Sequence, residues 1–272
     1  MNYRHAFHAG NFGDCLKHAL LIWLLDALQR KPASLFALDT HAGAGAYDLT
    51  GLPARRTNEA DGGIRRLLEA PEPALDRYLG LVRQLGLYPG SPALIRASLR
   101  SGDRLACCEL HPEEYAALRR RFARGRQIAI HQRDGYEALG ALLPPPEKRG
   151  LVLIDPPFEE PDEFTRLAAG LATGCTRFPT SVFAAWYPIK HRAPVRDFHA
   201  RLQNAGMRDV VTAELLLRAP LDPERLNGCG LLVINPPYRF ETETPPILHA
   251  LLRGLGASEP GAAVSVTRLA DE

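Results

Sequence analysis

Residues 151–158 read Leu-Val-Leu-Ile-Asp-Pro-Pro-Phe. The first four form an unbroken apolar run, which fits a strand buried on both faces better than one with a wet side. The two prolines fix the backbone and remove two N–H donors, so strand pairing ends there. Asp155 therefore stands at the carboxyl end of an interior strand. Six further runs have the same character: Leu35–Leu38, Leu105–Cys108, Ile128–Ile130, Val182–Trp186, Val210–Leu217 and Leu231–Ile234. Helical patterns precede the first and fall between most of the others, at Asp14–Arg30, Pro112–Arg124, Gly135–Leu143, Asp162–Leu171 and Val195–Asn204. This alternation predicts an α/β fold with a doubly wound, mostly parallel sheet of seven strands.

The rhythm breaks once. About 65 residues separate the first two strands, where a βαβ unit needs about 30. The excess contains helical stretches at Gly62–Leu68 and Ala74–Leu85 and ends on the turn-rich Tyr88-Pro89-Gly90-Ser91-Pro92. It is read as a small helical insertion, residues 48–90, within a single domain spanning 1–272.

Composition narrows the classes. The chain has 272 residues, 46% of them hydrophobic and 24% charged, enough for a core without disulfide or metal staples. Lys+Arg number 33 against 31 Asp+Glu, a formal charge of +2. That excludes a histone-like cation or a polyacidic tail, but not a local basic patch. The longest purely apolar run, Ala19–Leu25, is too short to span a bilayer, and no secretory leader is evident. Cys15, Cys107, Cys108, Cys175 and Cys229 are odd in number and lack CxxC spacing, which fits reduced thiols. A cytoplasmic protein with no membrane segment is expected.

In an open α/β sheet, ligands bind beyond the carboxyl ends of the strands. The residues found there are Asp39-Thr40-His41-Ala42-Gly43-Ala44-Gly45, then Glu109, then Asp134-Gly135, then Asp155. A single strand-end Asp is ordinarily a helix cap; four carboxylates on consecutive strands point to a site. Gly43 and Gly45 allow a tight turn and close approach of a ligand to the backbone. A dinucleotide fingerprint would place a third glycine where Asp48 stands, so pyrophosphate is disfavoured and a nucleoside without phosphates is favoured. Glu109 suits the two hydroxyls of a ribose, and Asp134 suits the amine of an adenine ring. Asp155 with a free strand-end carbonyl makes a two-acceptor clamp for an aromatic amine, and Phe158 offers a stacking face. Asn235-Pro236-Pro237-Tyr238 is a rival copy. However, no helical pattern separates the last two runs, so they should pair antiparallel, which sends Asn235 to the far edge of the sheet.

The set DTHAGAG (39–45), CELHP (108–112), RDG (133–135) and DPPF (155–158) resembles the class I S-adenosylmethionine-dependent amino methyltransferases. YRHAFHAGNFGDCLKHALL (3–21), YPGSP (88–92) and INPP (234–237) narrow the resemblance to the bacterial RlmJ family of 23S ribosomal RNA (adenine-N6)-methyltransferases. The resemblance covers nearly the whole chain. It implies S-adenosylmethionine as cofactor, held by His18, His41, Ser91, Glu109, Asp134, Gly135 and Asp155, with Gly43 added from the loop reading. It implies Asp155 as the catalytic residue, Tyr3 as an RNA contact, and Lys17 near the methionine carboxylate or the substrate. Phe158 departs from the tyrosine often found there, which keeps stacking and loses a hydroxyl.

The N-terminal helix reads as capped by Asp14, with Leu16, Ala19, Leu20, Trp23 and Leu24 as its apolar face. His5, His8 and His18 are not expected to hold metal, since methyl transfer from a sulfonium needs no Lewis acid. Arg119, Arg120, Arg121, Arg124, Arg126 and Arg133 form a stretch without acids, read equally as a phosphate surface or as a solvated helix face. Besides a monomeric enzyme acting on 23S ribosomal RNA, a DNA adenine or protein-glutamine methyltransferase and a catalytically silent RNA-binding module remain open.

Overall fold

The computed structural model describes residues 4–122, 125 and 127–271. The chain enters through α1 (Phe12–Gln29) and then β1 (Phe36–Asp39). A two-stranded ribbon, β2 (Ala46–Tyr47) with β3 (Tyr88–Pro89), brackets the helices α2 (Leu52–Thr57), α3 (Ile64–Glu69) and α4 (Asp76–Leu85). The alternating part follows: α5 (Ser91–Ser98), β4 (Arg104–Glu109), α6 (Pro112–Phe122), β5 (Ile128–Gln132), α7 (Gly135–Leu142), β6 (Gly150–Ile154), α8 (Glu163–Arg177), β7 (Val182–Ile189) and α9 (Arg192–Asn204). It closes with β8 (Val210–Leu216), β9 (Gly228–Ile234), α10 (Phe240–Gly254) and β10 (Ala263–Ala270).

The main sheet has the order β10-β8-β9-β7-β6-β1-β4-β5. The pairings β5–β4, β4–β1, β1–β6 and β6–β7 are parallel. β9 inserts antiparallel between β7 and β8, as the loop-only connection to β8 requires. The expectation of seven strands is corrected to eight: β10 pairs antiparallel with β8 at the edge. Its Val264 and Val266 alternate with Ser265 and Thr267, the pattern of a half-exposed edge strand rather than an unbroken apolar run.

The strand pattern builds two cores. Leu151 and Leu153 of β6 join the cluster beneath α1 and α5, whereas Val152 and Ile154 join the one beneath α7 and α8. Both faces are therefore dry, and each fully buried Leu or Ile contributes about 1.5–3 kcal/mol of transfer free energy. The helices between β2 and β3 have no core of their own. Ile64, Leu67, Tyr78 and Leu79 enter the same cluster as Leu20, Leu21 and Leu24 of α1.

Two details of α1 position the site. Its N-cap is Asn11, not Asp14: the Asn11 side chain accepts from the Asp14 N–H at 2.9 Å. Asp14 falls in the first turn, buried. Because α1 precedes a parallel strand, its N-terminus lies at the carboxyl edge of the sheet, beside the end of β6.

Candidate active site

Strand order reverses about β1, whose neighbours are β4 on one side and β6 on the other. Beyond the carboxyl ends of these strands opens a cleft of about 1000 Å³. His18, His41, Gly43, Ser91, Glu109, Asp134, Gly135, Asp155, Lys17 and Phe158 all line it. Tyr3 lies outside the described residues.

The cofactor half is built on the ends of β1, β4 and β5. Gly43 and Gly45 have φ of +58° and +80°, a left-handed backbone that glycine adopts without strain. A Cβ on Gly43 would stand 2.1 Å from the Tyr47 hydroxyl. The turn brings the Gly43 N–H onto Glu109 Oε2 at 2.8 Å, while Glu109 Oε1 accepts from the His111 N–H at 2.7 Å. Burial pushes the Glu109 carboxyl up, against the pull of these two donors. Each oxygen keeps a lone pair, so the carboxylate can still accept two hydroxyls. Asp134 caps α7, its Oδ1 accepting from the Tyr136 and Glu137 N–H groups at 2.8 and 3.1 Å. Its Oδ2 is 3.5 Å from Arg166, whose guanidinium lies over the Tyr136 ring at 4.8 Å. Asp134 is thus a helix cap and a cleft carboxylate together.

Three groups support this half, His18 and Asp39 buried and His41 half-buried. His18 Nδ1 shares a 2.9 Å hydrogen bond with the Tyr88 hydroxyl, and its Nε2 has no hydrogen-bond partner among the described residues. Burial pulls His18 down to about 3 and His41 down to about 4, so both rings are neutral at ordinary pH. Asp39, one of the four strand-end carboxylates, is fully enclosed behind the cleft. Neither of its oxygens meets hydrogen-bond geometry, and burial pushes it up to about 7 against the nearby Ser91 hydroxyl.

The reacting half is built on the end of β6 and the first turns of α1. Pro156 and Pro157 carry the chain out of the strand, and Phe158 then takes φ +50°, unusual for a residue with a side chain. Its ring packs edge-on against Phe164 at 4.9 Å and Trp186 at 5.9 Å. Asp155 Oδ2 accepts from Lys17 Nζ at 2.5 Å, and the same ammonium is 2.8 Å from Asp14 Oδ1. Burial alone would lower Lys17, but Asp14 and Asp155 outweigh it and hold Lys17 well above its ordinary value. The ammonium stays charged.

Sequence reasoning missed Asp14 and Trp186. Asp14, Lys17 and His18 share one helix face by their i, i+3, i+4 spacing, which was a usable signal. Trp186 was hidden inside a strand pattern.

Other features fall elsewhere. Asn235 donates to the carbonyls of Pro179 and Ser181, at the amino end of β7, so the second Pro-Pro motif is remote from the cleft. Arg119, Arg120 and Arg121 are exposed in the last turn of α6, which runs away from the carboxyl edge; none lines the cleft. Arg124 and Arg126 lie outside the described residues. Among the described residues, no group of His, Cys, Asp and Glu is arranged to hold a metal.

Comparison with known proteins agrees with this geometry. Residues 32–267 match the model of the family described as ribosomal RNA large subunit methyltransferase D, RlmJ. Over 263 residues the chain is 38% identical to ribosomal RNA large subunit methyltransferase J of Escherichia coli, covering 93% of this chain and 94% of that protein. The protein of that name from Haemophilus influenzae is 36% identical over 264 residues, covering 94% of each. The crystal structure of a Legionella pneumophila protein superposes with a TM-score of 0.88 at 35% identity, covering 96% of this chain and 98% of that one. With a site of this construction and matches of this extent, the chain belongs to the RlmJ family of ribosomal RNA large subunit methyltransferases.

Proposed function

We infer that this protein transfers the methyl group of S-adenosylmethionine to N6 of an adenine in 23S ribosomal RNA. One observation carries the reading: Asp155, followed by Pro156 and Pro157, ends β6 in the same cleft as Glu109 and Asp134. An amine clamp and a nucleoside-binding pair of carboxylates thus share one opening. The residues present fit the cofactor. Gly43 and Gly135 keep the floor free of side chains, Glu109 can accept ribose hydroxyls, and Asp134 can accept an adenine amine. When bound, S-adenosylmethionine supplies an electrophilic methyl on a sulfonium.

The chain's own residues prepare the nucleophile. The N6 lone pair of adenine is delocalised into the ring. Asp155 and the strand-end carbonyl, accepting its two hydrogens, favour the pyramidal nitrogen and stabilise its developing positive charge. Asp155 then takes the surplus proton toward water. The target base must leave its stack to reach this clamp, with Phe158 as its stacking wall.

The chain works as one methyltransferase domain with the 48–90 helices inserted, as a monomer in the cytoplasm. The five cysteines carry no disulfide, which fits a reducing compartment. No helix among the described residues is long and apolar enough to cross a membrane.

The test is transfer of labelled methyl from the cofactor to unmethylated 23S ribosomal RNA. Wild-type protein is expected to label the RNA. Asp155→Ala should lose at least about 100-fold in rate with the fold retained, the size expected from removing a charge-stabilising group. Full activity of Asp155→Ala would refute the assignment of Asp155.

A further inference from the structure

We propose that Asp14 is a positioning residue for the methyl-transfer step, holding Lys17 charged and in place while Asp155 engages the substrate amine. The proposal rests on the adenine-N6 reading above.

The starting point is a conflict at Asp155. Its Oδ2 is occupied by the Lys17 ammonium at 2.5 Å, and Lys17 is buried. The substrate amine can use the other oxygen, but once Asp155 takes the surplus proton its charge is neutralised and that pairing weakens. A buried ammonium left with no counter-ion either withdraws or loses its proton, because desolvation penalises the charged form. In either case the field around Asp155 changes at the moment the reaction needs it fixed.

Asp14 removes the conflict. Its Oδ1 stands 2.8 Å from the same Nζ, so Lys17 bridges two carboxylates and keeps a full counter-ion whatever Asp155 is doing. Asp14 cannot serve the substrate itself. It is 3% exposed, and its Oδ2 already accepts from the Gly10 N–H and meets His5 Nε2, both at 2.9 Å. Its position is further fixed by the backbone, since its own N–H is bound by the Asn11 cap. His18 Nε2, at 3.9 Å, is the remaining titratable neighbour on the helix, and that ring is neutral. The arrangement is an acid held by the Gly10 N–H and His5 on one oxygen and joined to Asp155 through Lys17 on the other.

The experiment is a double-mutant cycle on the full chain, reading single-turnover methylation of unmethylated 23S ribosomal RNA, with S-adenosylhomocysteine affinity and melting temperature measured for every variant. Asp14→Asn is expected to lower the rate at saturating substrates about tenfold or more, with KM for the cofactor within about twofold of wild type. In a Lys17→Met background the same substitution is expected to change the rate by no more than about twofold, because the residue through which it acts is gone. Asp14→Glu, which keeps the charge, should recover part of the rate. An Asn variant with unchanged rate, equal losses in both backgrounds, or a folded Glu variant no better than Asn would each overturn the proposal. Wild-type protein that labels no RNA would instead overturn the functional reading, and the proposal with it.

Discussion

Asp39 ends β1 with both carboxylate oxygens enclosed, and burial lifts it to about 7. In the unfolded chain the same acid ionises near 3.9. As pH rises from about 4 to about 7, the unfolded state therefore loses its proton first, and the folded state is penalised by up to about 4 kcal/mol. Asp39→Asn removes this liability. The variant's unfolding free energy relative to wild type should therefore climb across that interval in urea titrations; a difference flat with pH would contradict the burial argument. The composition of the site was readable in sequence, because strand-end carboxylates stand out against apolar runs. The division of labour among them was not. Asp39 sits behind the cleft, Asp134 both caps α7 and faces the cleft, and Asp14, which looked like a cap, is the partner of Lys17. A cap and a buried counter-ion use the same residue type at nearly the same position. Only the location of Asn11 one turn earlier separates them.

At the scale of elements, the close seating of α7 on the β1 loop is what shapes the cofactor half. A Cβ on Gly135 would stand 2.4 Å from the Thr40 carbonyl oxygen and 2.5 Å from the His41 ring. Since the first of these is backbone, Gly135→Ala must push the start of α7 away from the loop. Overpacking of this kind costs about 1–3 kcal/mol. S-adenosylhomocysteine affinity, measured calorimetrically, is expected to fall about tenfold with the overall fold retained; unchanged affinity would show that the contact does not shape the site. The interior strands were legible because both their faces are buried, which writes an unbroken apolar run into the sequence. β10 was not, because only one of its faces meets the core. The β2–β3 ribbon, two residues a side, is too short to leave any periodicity.

At the scale of the whole molecule, a formal charge of +2 conceals a sorting of charge. Glu109, Asp134 and Asp155 gather in one cleft, where a cationic sulfonium is expected. The exposed arginines of α6 lie toward the opposite edge of the sheet. The Arg stretch falls at the carboxyl end of the helical pattern Pro112–Arg124, and the crossover geometry of α6 turns that into a place at the edge of the sheet away from the cleft. That the cleft methylates an adenine amine is tested most directly by mass spectrometry of nucleosides and mapped fragments. The substrate is 23S ribosomal RNA from a strain lacking this protein, incubated with S-adenosylmethionine and the purified chain. N6-methyladenine at a single position, formed with wild type and absent with Asp155→Ala, is the predicted result. Methylation at a ring carbon, a ribose hydroxyl or no position at all would contradict the account.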